Sequence, residues 1–69
     1  NYFYVKLSST SEESVSLKVY DLLGKIVEQY LVPIDELNTL PLGKNTASGE
    51  YTIEISQGEE LIRRKVVKQ

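Results

Sequence analysis

The amino-acid sequence predicts an all-β domain, a small antiparallel immunoglobulin-like β-sandwich of about six to seven short strands. Runs of Tyr, Val, Ile, Leu and Thr alternate with polar residues at a period of two, the pattern of strands with one face buried. These runs are short and are separated by clusters of Ser, Gly, Asn and Asp that favour turns. Nothing in the chain predicts a helix of useful length. With 69 residues there is room for one hydrophobic core, so residues 1–69 read as a single domain.

Tyr2 to Leu7 opens the chain as a strand, with Phe3, Val5 and Leu7 on one face and Tyr2, Tyr4 and Lys6 on the other. Ser8 to Ser14 carries too little apolar area to pack and reads as an exposed loop. Val15 to Asp21 is a second strand, placing Val15, Leu17 and Val19 inward. Asp21, Leu22, Leu23 and Gly24 supply a turn. An aspartate at its first position can accept from backbone groups further on, and Gly24 can take the positive φ of a type I turn with a G1 bulge. Lys25 to Val32 returns to complete a hairpin that Pro33 ends, because proline cannot donate into a ladder.

Ile34 to Leu42 allows one turn of helix at Asp35 to Leu37, but the alternation of Leu40 and Leu42 favours a loop followed by a short strand. Gly43 to Gly49 is a second polar connection. Tyr51, Ile53 and Ile55 then alternate with Thr52, Glu54 and Ser56 in the clearest strand of the chain. Gly49 two residues ahead of Tyr51 is the pattern of a tyrosine corner, in which the phenol bonds back to a nearby backbone group. Gln57, Gly58 and Glu59 make a turn, and Glu60 to Lys68 is the last strand. Ile62 and Val66 are expected to face the core there, and Arg63, Lys65 and Val67 to face away, although Leu61 and Val67 argue for the opposite register.

The composition narrows the chemistry. The chain has neither cysteine nor histidine, which removes disulfides, thiolate metal sites, the usual general base and the commonest metal ligand. The three carboxylate pairs, Glu12 with Glu13, Asp35 with Glu36 and Glu59 with Glu60, are sequence neighbours. On an extended chain such neighbours diverge, so they do not converge on one substrate atom, and solvated loop charge is the simpler reading. A calcium site in the Asp35 loop lacks the spaced acidic pattern that would make it specific. The expectation is therefore a domain with no catalytic residues, no cofactor and no metal.

Net charge is −2, and acids are spread along the chain, so no nucleic-acid partner is expected. Its C-terminal end differs, with Arg63, Arg64, Lys65 and Lys68 following Glu60 without another acid. Such a basic strip either blunts an exposed strand edge or docks to a partner. Tyr2, Tyr4, Tyr20 and Tyr30 would form a platform for sugar rings if their outward faces met across the sheet, whereas outward tyrosines also serve strand packing alone.

Taken in order, Val15-Ser-Leu-Lys-Val-Tyr-Asp-Leu-Leu-Gly-Lys25, Leu40-Pro-Leu, Ala47-Ser-Gly-Glu-Tyr-Thr-Ile-Glu-Ile55 and Arg64-Lys-Val-Val-Lys68 resemble the type A C-terminal sorting domain of type IX secretion cargo in the Bacteroidetes group of bacteria. The resemblance covers nearly the whole chain, and it lies in the order of the motifs more than in any one of them. One departure is the opening, where the family usually has an Asn-Pro segment and this chain has Asn1-Tyr2-Phe3.

The resemblance implies a sorting signal at the C-terminus of a larger secreted protein. In family terms that protein passes through the periplasm, is recognised by the outer-membrane type IX translocon and is cleaved by a sortase-like cysteine protease. The cargo is then anchored to surface lipopolysaccharide or released. Asp21, Gly24 and Lys25 match the family's turn motif, Gly49 and Tyr51 its strand entry, and Lys65, Val66, Val67 and Lys68 the terminal segment on which recognition depends. Exposed edge strands leave homo-oligomerisation open. The alternative is a fibronectin-like or immunoglobulin-like accessory module that binds carbohydrate or spaces the domains of a surface enzyme.

Overall fold

The computed structural model describes residues 2–7, 11–44 and 46–69. Its four strands are β1 (Val15–Tyr20), β2 (Ile26–Val32), β3 (Gly49–Gln57) and β4 (Glu60–Lys68). They form one antiparallel sheet in the order β2-β1-β3-β4. β1 and β3 therefore lie in the middle, and β2 and β4 are the edges.

The alternation of apolar residues fixes which face is covered. On β1, Val15, Leu17 and Val19 are buried, as are Tyr51, Ile53 and Ile55 on β3. Each such side chain stabilises the fold by about 1.5–3 kcal/mol relative to leaving it exposed. The register pairs Leu17 with Ile55 and Val19 with Ile53, so the two central strands present one continuous apolar stripe. Ile62 and Val66 of β4 pack against it with partial burial, and Leu61 and Val67 face solvent. The expected register of the last strand is thus the observed one.

A layer of irregular chain lies over this stripe. Val5, Leu37 and Leu42 are its buried members, with Phe3, Leu7, Ile34 and Leu40 packed around them. The all-β antiparallel fold is as the sequence predicts, but the described residues form four strands in one sheet in place of the six to seven expected of a sandwich. Those expected at Tyr2 to Leu7 and Leu40 to Leu42 are reduced to a single antiparallel bridge between Phe3 and Leu42. Phe3, Val5 and Leu7 do face inward and Tyr2, Tyr4 and Lys6 outward. That alternation sets the faces of an extended segment, and a ladder additionally requires a second chain in register.

Between Pro33 and Leu40, a 3₁₀ helix at Ile34–Thr39 replaces the expected loop. Leu37 is its buried residue, and the Thr39 hydroxyl closes its end by donating to the Glu36 carbonyl at 2.9 Å. Of the two polar connections, residues 8–10 and 45 lie outside the described residues.

The described parts of both connections are tied to the sheet. At one end of the sheet, buried Gln57 donates from Nε2 to the carbonyls of Ser11 (3.3 Å) and Glu13 (2.8 Å). At the other end, Lys68 donates from Nζ to the carbonyls of Gly43 and Thr46, the latter at 2.5 Å.

Candidate recognition surface

The three sequence motifs converge on the end of the sheet where β1 and β4 finish and β2 and β3 begin. At the β1–β2 turn, the Asp21 carboxylate accepts from the backbone N–H of Leu23 at 3.0 Å and of Lys25 at 2.9 Å. The main chain closes the same turn, with Gly24 N donating to Asp21 O at 3.0 Å and Asp21 N to Lys25 O at 2.9 Å. Gly24 sits at φ 82°, the left-handed conformation that glycine adopts without strain. The turn is the one the sequence predicts. Lys25 contributes its N–H to it and leaves its side chain in solvent.

Beyond the turn, the partner of Val19 is Glu28 and that of Tyr20 is Ile26, which leaves Val27 as an extra residue. This bulge puts Glu28 and Tyr30 in register with the inward Val19 and Leu17. Tyr30 Oη donates to Glu28 Oε1 at 2.8 Å, and Glu28 Oε2 accepts from Gly43 N at the same distance. The bond to Glu28, ahead of partial burial, pushes the Tyr30 phenol above its ordinary pKa of 10.0.

The Gly43 to Gly49 connection is consequently held from three strands: Glu28 of β2 takes an N–H, Lys68 of β4 takes two carbonyls, and Tyr51 Oη of β3 donates to Ala47 O at 2.6 Å. The last bond is the expected tyrosine corner. Gly49, at φ 153°, brings the chain into β3 through backbone space that a side chain rarely permits.

Asp21, Tyr51 and Lys65, from the three motifs, line one shallow cleft of about 220 Å³ together with Leu22, Glu50 and Thr52. The terminal segment does not act as a unit, because successive strand residues face opposite sides. Lys65 and Val67 are exposed on the open face, Val66 packs against the core, and Lys68 is occupied with the Gly43 and Thr46 carbonyls. The same rule divides the basic strip. Arg63 reaches across the open face to Glu54 at 2.9 Å, whereas Arg64 turns to the covered side.

The tyrosine platform does not form either. Tyr30 packs on the core side, Tyr20 lies on the open face with Oη 3.4 Å from Glu54, and Tyr2 and Tyr4 make an edge-to-face pair, centroids 5.7 Å apart, on the N-terminal segment. The carbohydrate-binding alternative depended on these rings meeting.

The sequence reading missed Glu28 and Gln57, and it counted Arg64 in the basic strip without assigning its side of the sheet. Glu28 carried a signal, since an acid opposite an inward valine across a hairpin needs a partner.

Arg64 belongs to a second cleft, of about 490 Å³, between the N-terminal segment and the inner faces of β3 and β4. Ile53, Ile55, Ile62 and Val66 form its apolar floor, and Lys6 and Arg64 are its charged lining residues. Among the described residues, no group of three or more His, Cys, Asp or Glu is placed to hold a metal ion.

These features define a small β-sheet module with tight turns, clefts and a strand edge on its surface. The chain belongs to the family described as the secretion system C-terminal sorting domain, whose model matches residues 1–69. This family is the C-terminal sorting signal of type IX secretion, and the proteins that carry it are exported across the outer membrane. Comparison with curated proteins and with solved structures gave no match.

Proposed function

We propose that the sheet end bearing Asp21, Tyr51 and Lys65, together with the adjoining β4 edge, is what the outer-membrane type IX translocon reads. The observation that carries this is the shared cleft: residues far apart in sequence, one from each of the three sequence motifs that carry the resemblance, meet on one accessible surface. Asp21, Gly24, Lys25, Gly49 and Tyr51 shape that surface, and Lys65 and Val67 are its exposed contacts. Val66 and Lys68 contribute by holding β4 and the Gly43 loop in place.

In this reading the domain ends a larger secreted protein that crosses the periplasm. A sortase-like cysteine protease removes the tail, and the cargo is attached to the cell surface or released. The domain itself catalyses nothing.

Deleting Glu60 to Gln69 would test export crudely, because it removes a whole strand and leaves the β3 edge unpaired. The sharper test is Lys65→Glu with Val67→Asp in the full parent protein, since both side chains point away from the core. The expected result is cargo held in the periplasm while circular dichroism of the isolated domain stays that of the folded sheet, with the unfolding temperature only slightly lowered because the new aspartate stands opposite Glu50. Normal surface delivery of a folded double variant would remove Lys65 and Val67 from the recognition surface.

A further inference from the structure

The two sheet edges are not equivalent. β2 is bulged at Val27, a device that twists an edge away from further pairing. β4 is regular over nine residues, each in register with β3, and among the described residues no strand pairs with its other side. Half of its backbone donors and acceptors therefore point outward as a template for one more strand; the Arg63 carbonyl meanwhile accepts from Arg64 Nη1 at 2.9 Å, a bond that an added strand displaces.

Beside that edge, on the covered side, runs the cleft floored by Ile53, Ile55, Ile62 and Val66. The covering layer buries Ile53 and Ile55 but leaves Ile62 and Val66 half-buried, so it is thinnest along β4.

Side-chain order along β4 specifies what would fit. Leu61 and Ile62 are apolar, Arg63, Arg64 and Lys65 are basic, and Val66 and Val67 are apolar again. Residues directly opposite on neighbouring strands interact most strongly, so the matching strand has acids in the middle and apolar residues on both sides. The cleft supports the same sign, since Arg64 lines it from β4 and no acid does among its described lining residues.

A second copy of this chain is a poor occupant. Antiparallel self-pairing about Arg64 sets Arg64 against itself and Arg63 against Lys65, and like charges directly opposite are destabilising. Shifting the register to bring Glu60 opposite Arg64 leaves Lys65 to Lys68 without partners. The positive charge that guards this edge against its own kind thus makes it selective for a strand of opposite sign.

We infer that the free edge of β4 accepts, by strand addition, an extended segment of a partner protein that carries three consecutive acidic residues flanked by apolar ones. This rests on reading β4 as a recognised strand and adds the chemistry of its partner. Arg64 reads the central acid from the covered side, and Arg63 and Lys65 read its two neighbours from the open side.

The test is a ten-residue acetylated and amidated peptide with three adjacent glutamates between valine pairs, titrated into the ¹⁵N-labelled 69-residue chain at low salt. Saturable shifts confined to β4 and the Phe3–Leu7 segment are expected. Affinity should fall at least ~10-fold for a peptide with lysines in place of the glutamates, and by a similar factor for Arg64→Glu in the folded chain. N-methylation at alternate peptide positions, which removes the donors facing the edge, should abolish binding in one of the two phases.

Equal binding of the lysine peptide, no binding of the glutamate peptide to a folded chain, or a dimer by sedimentation whose outward β4 amides are protected from exchange would each overturn the inference. If the peptide fails while Lys65→Glu with Val67→Asp still blocks export, this inference alone falls. If the peptide binds and export is indifferent to those substitutions, the recognition reading falls instead.

Discussion

The two ends of the sheet solve the same problem with opposite chemistry. At each end one side-chain nitrogen holds the described part of a connection by donating to two backbone carbonyls. Gln57 does so with a neutral amide and Lys68 with an ammonium. Gln57 is 6% exposed, which a neutral group tolerates once it is hydrogen-bonded, whereas a charge is far more costly to bury. Lys68 accordingly sits at a half-exposed strand end, a place that suits a long side chain with a charged head. Glu28 supplies an acid to the same connection through the Gly43 N–H. The difference teaches that the Gln57 end belongs to the core and the Lys68 end to the surface.

Breaking the Gln57 end should have the larger effect. Gln57→Leu keeps the volume but leaves the Ser11 and Glu13 carbonyls without that donor, at a cost of about 2–3 kcal/mol, read as a lower urea midpoint with an unchanged slope. A loss below ~0.5 kcal/mol would mean that water replaces the amide there.

Lys68→Met keeps the stem and removes the ammonium, and is expected to cost about 1–2 kcal/mol. Hydrogen exchange sharpens the comparison. Protection of the Gly43 and Thr46 amides should fall while that of the Glu13 amide stays as it was. Loosening at both ends would show that they are coupled through the sheet.

The smallest effect is one of pH. The folded Tyr30 pKa is raised above its ordinary 10.0, so its phenol binds its proton more tightly in the native state. That contribution is fully present below pH 10 and is lost as pH rises through the folded pKa. Tyr30→Phe should therefore flatten the alkaline fall in stability relative to the parent chain. Parallel curves above pH 10 would assign that fall to other groups.

Much of this was legible in the sequence where a single local rule decides the outcome. The alternation in β1, β3 and β4 gave the covered face because each strand has one dry side. Asp21 with Gly24 specified a turn whose bonds span only a few residues, and Gly49 with Tyr51 announced the corner. The N-terminal segment was harder, because its alternation describes faces and says nothing of whether a ladder partner is present. Aromatic platform and basic strip were both drawn along the chain, and strand parity divides each between two sides of the sheet. Gln57, Glu28 and Lys68 were not legible as clamps, since their carbonyl and amide partners lie 15 to 46 residues away in sequence, and only the folded register brings them within reach.

The clamp at Lys68 also bears on how the domain responds to load. β4 is an edge strand paired along one side, so tension applied from its C-terminal end peels it from β3 one pair at a time. Peeling begins at Lys68 opposite Gly49 and runs toward Glu60 opposite Gln57. The first lateral attachments in the line of force are those of Lys68 to Gly43 and Thr46. Traction on the tail therefore slackens the Gly43 connection as the first β3–β4 pairs open, while Gln57, at the far end of the same hairpin, is the last to be unloaded.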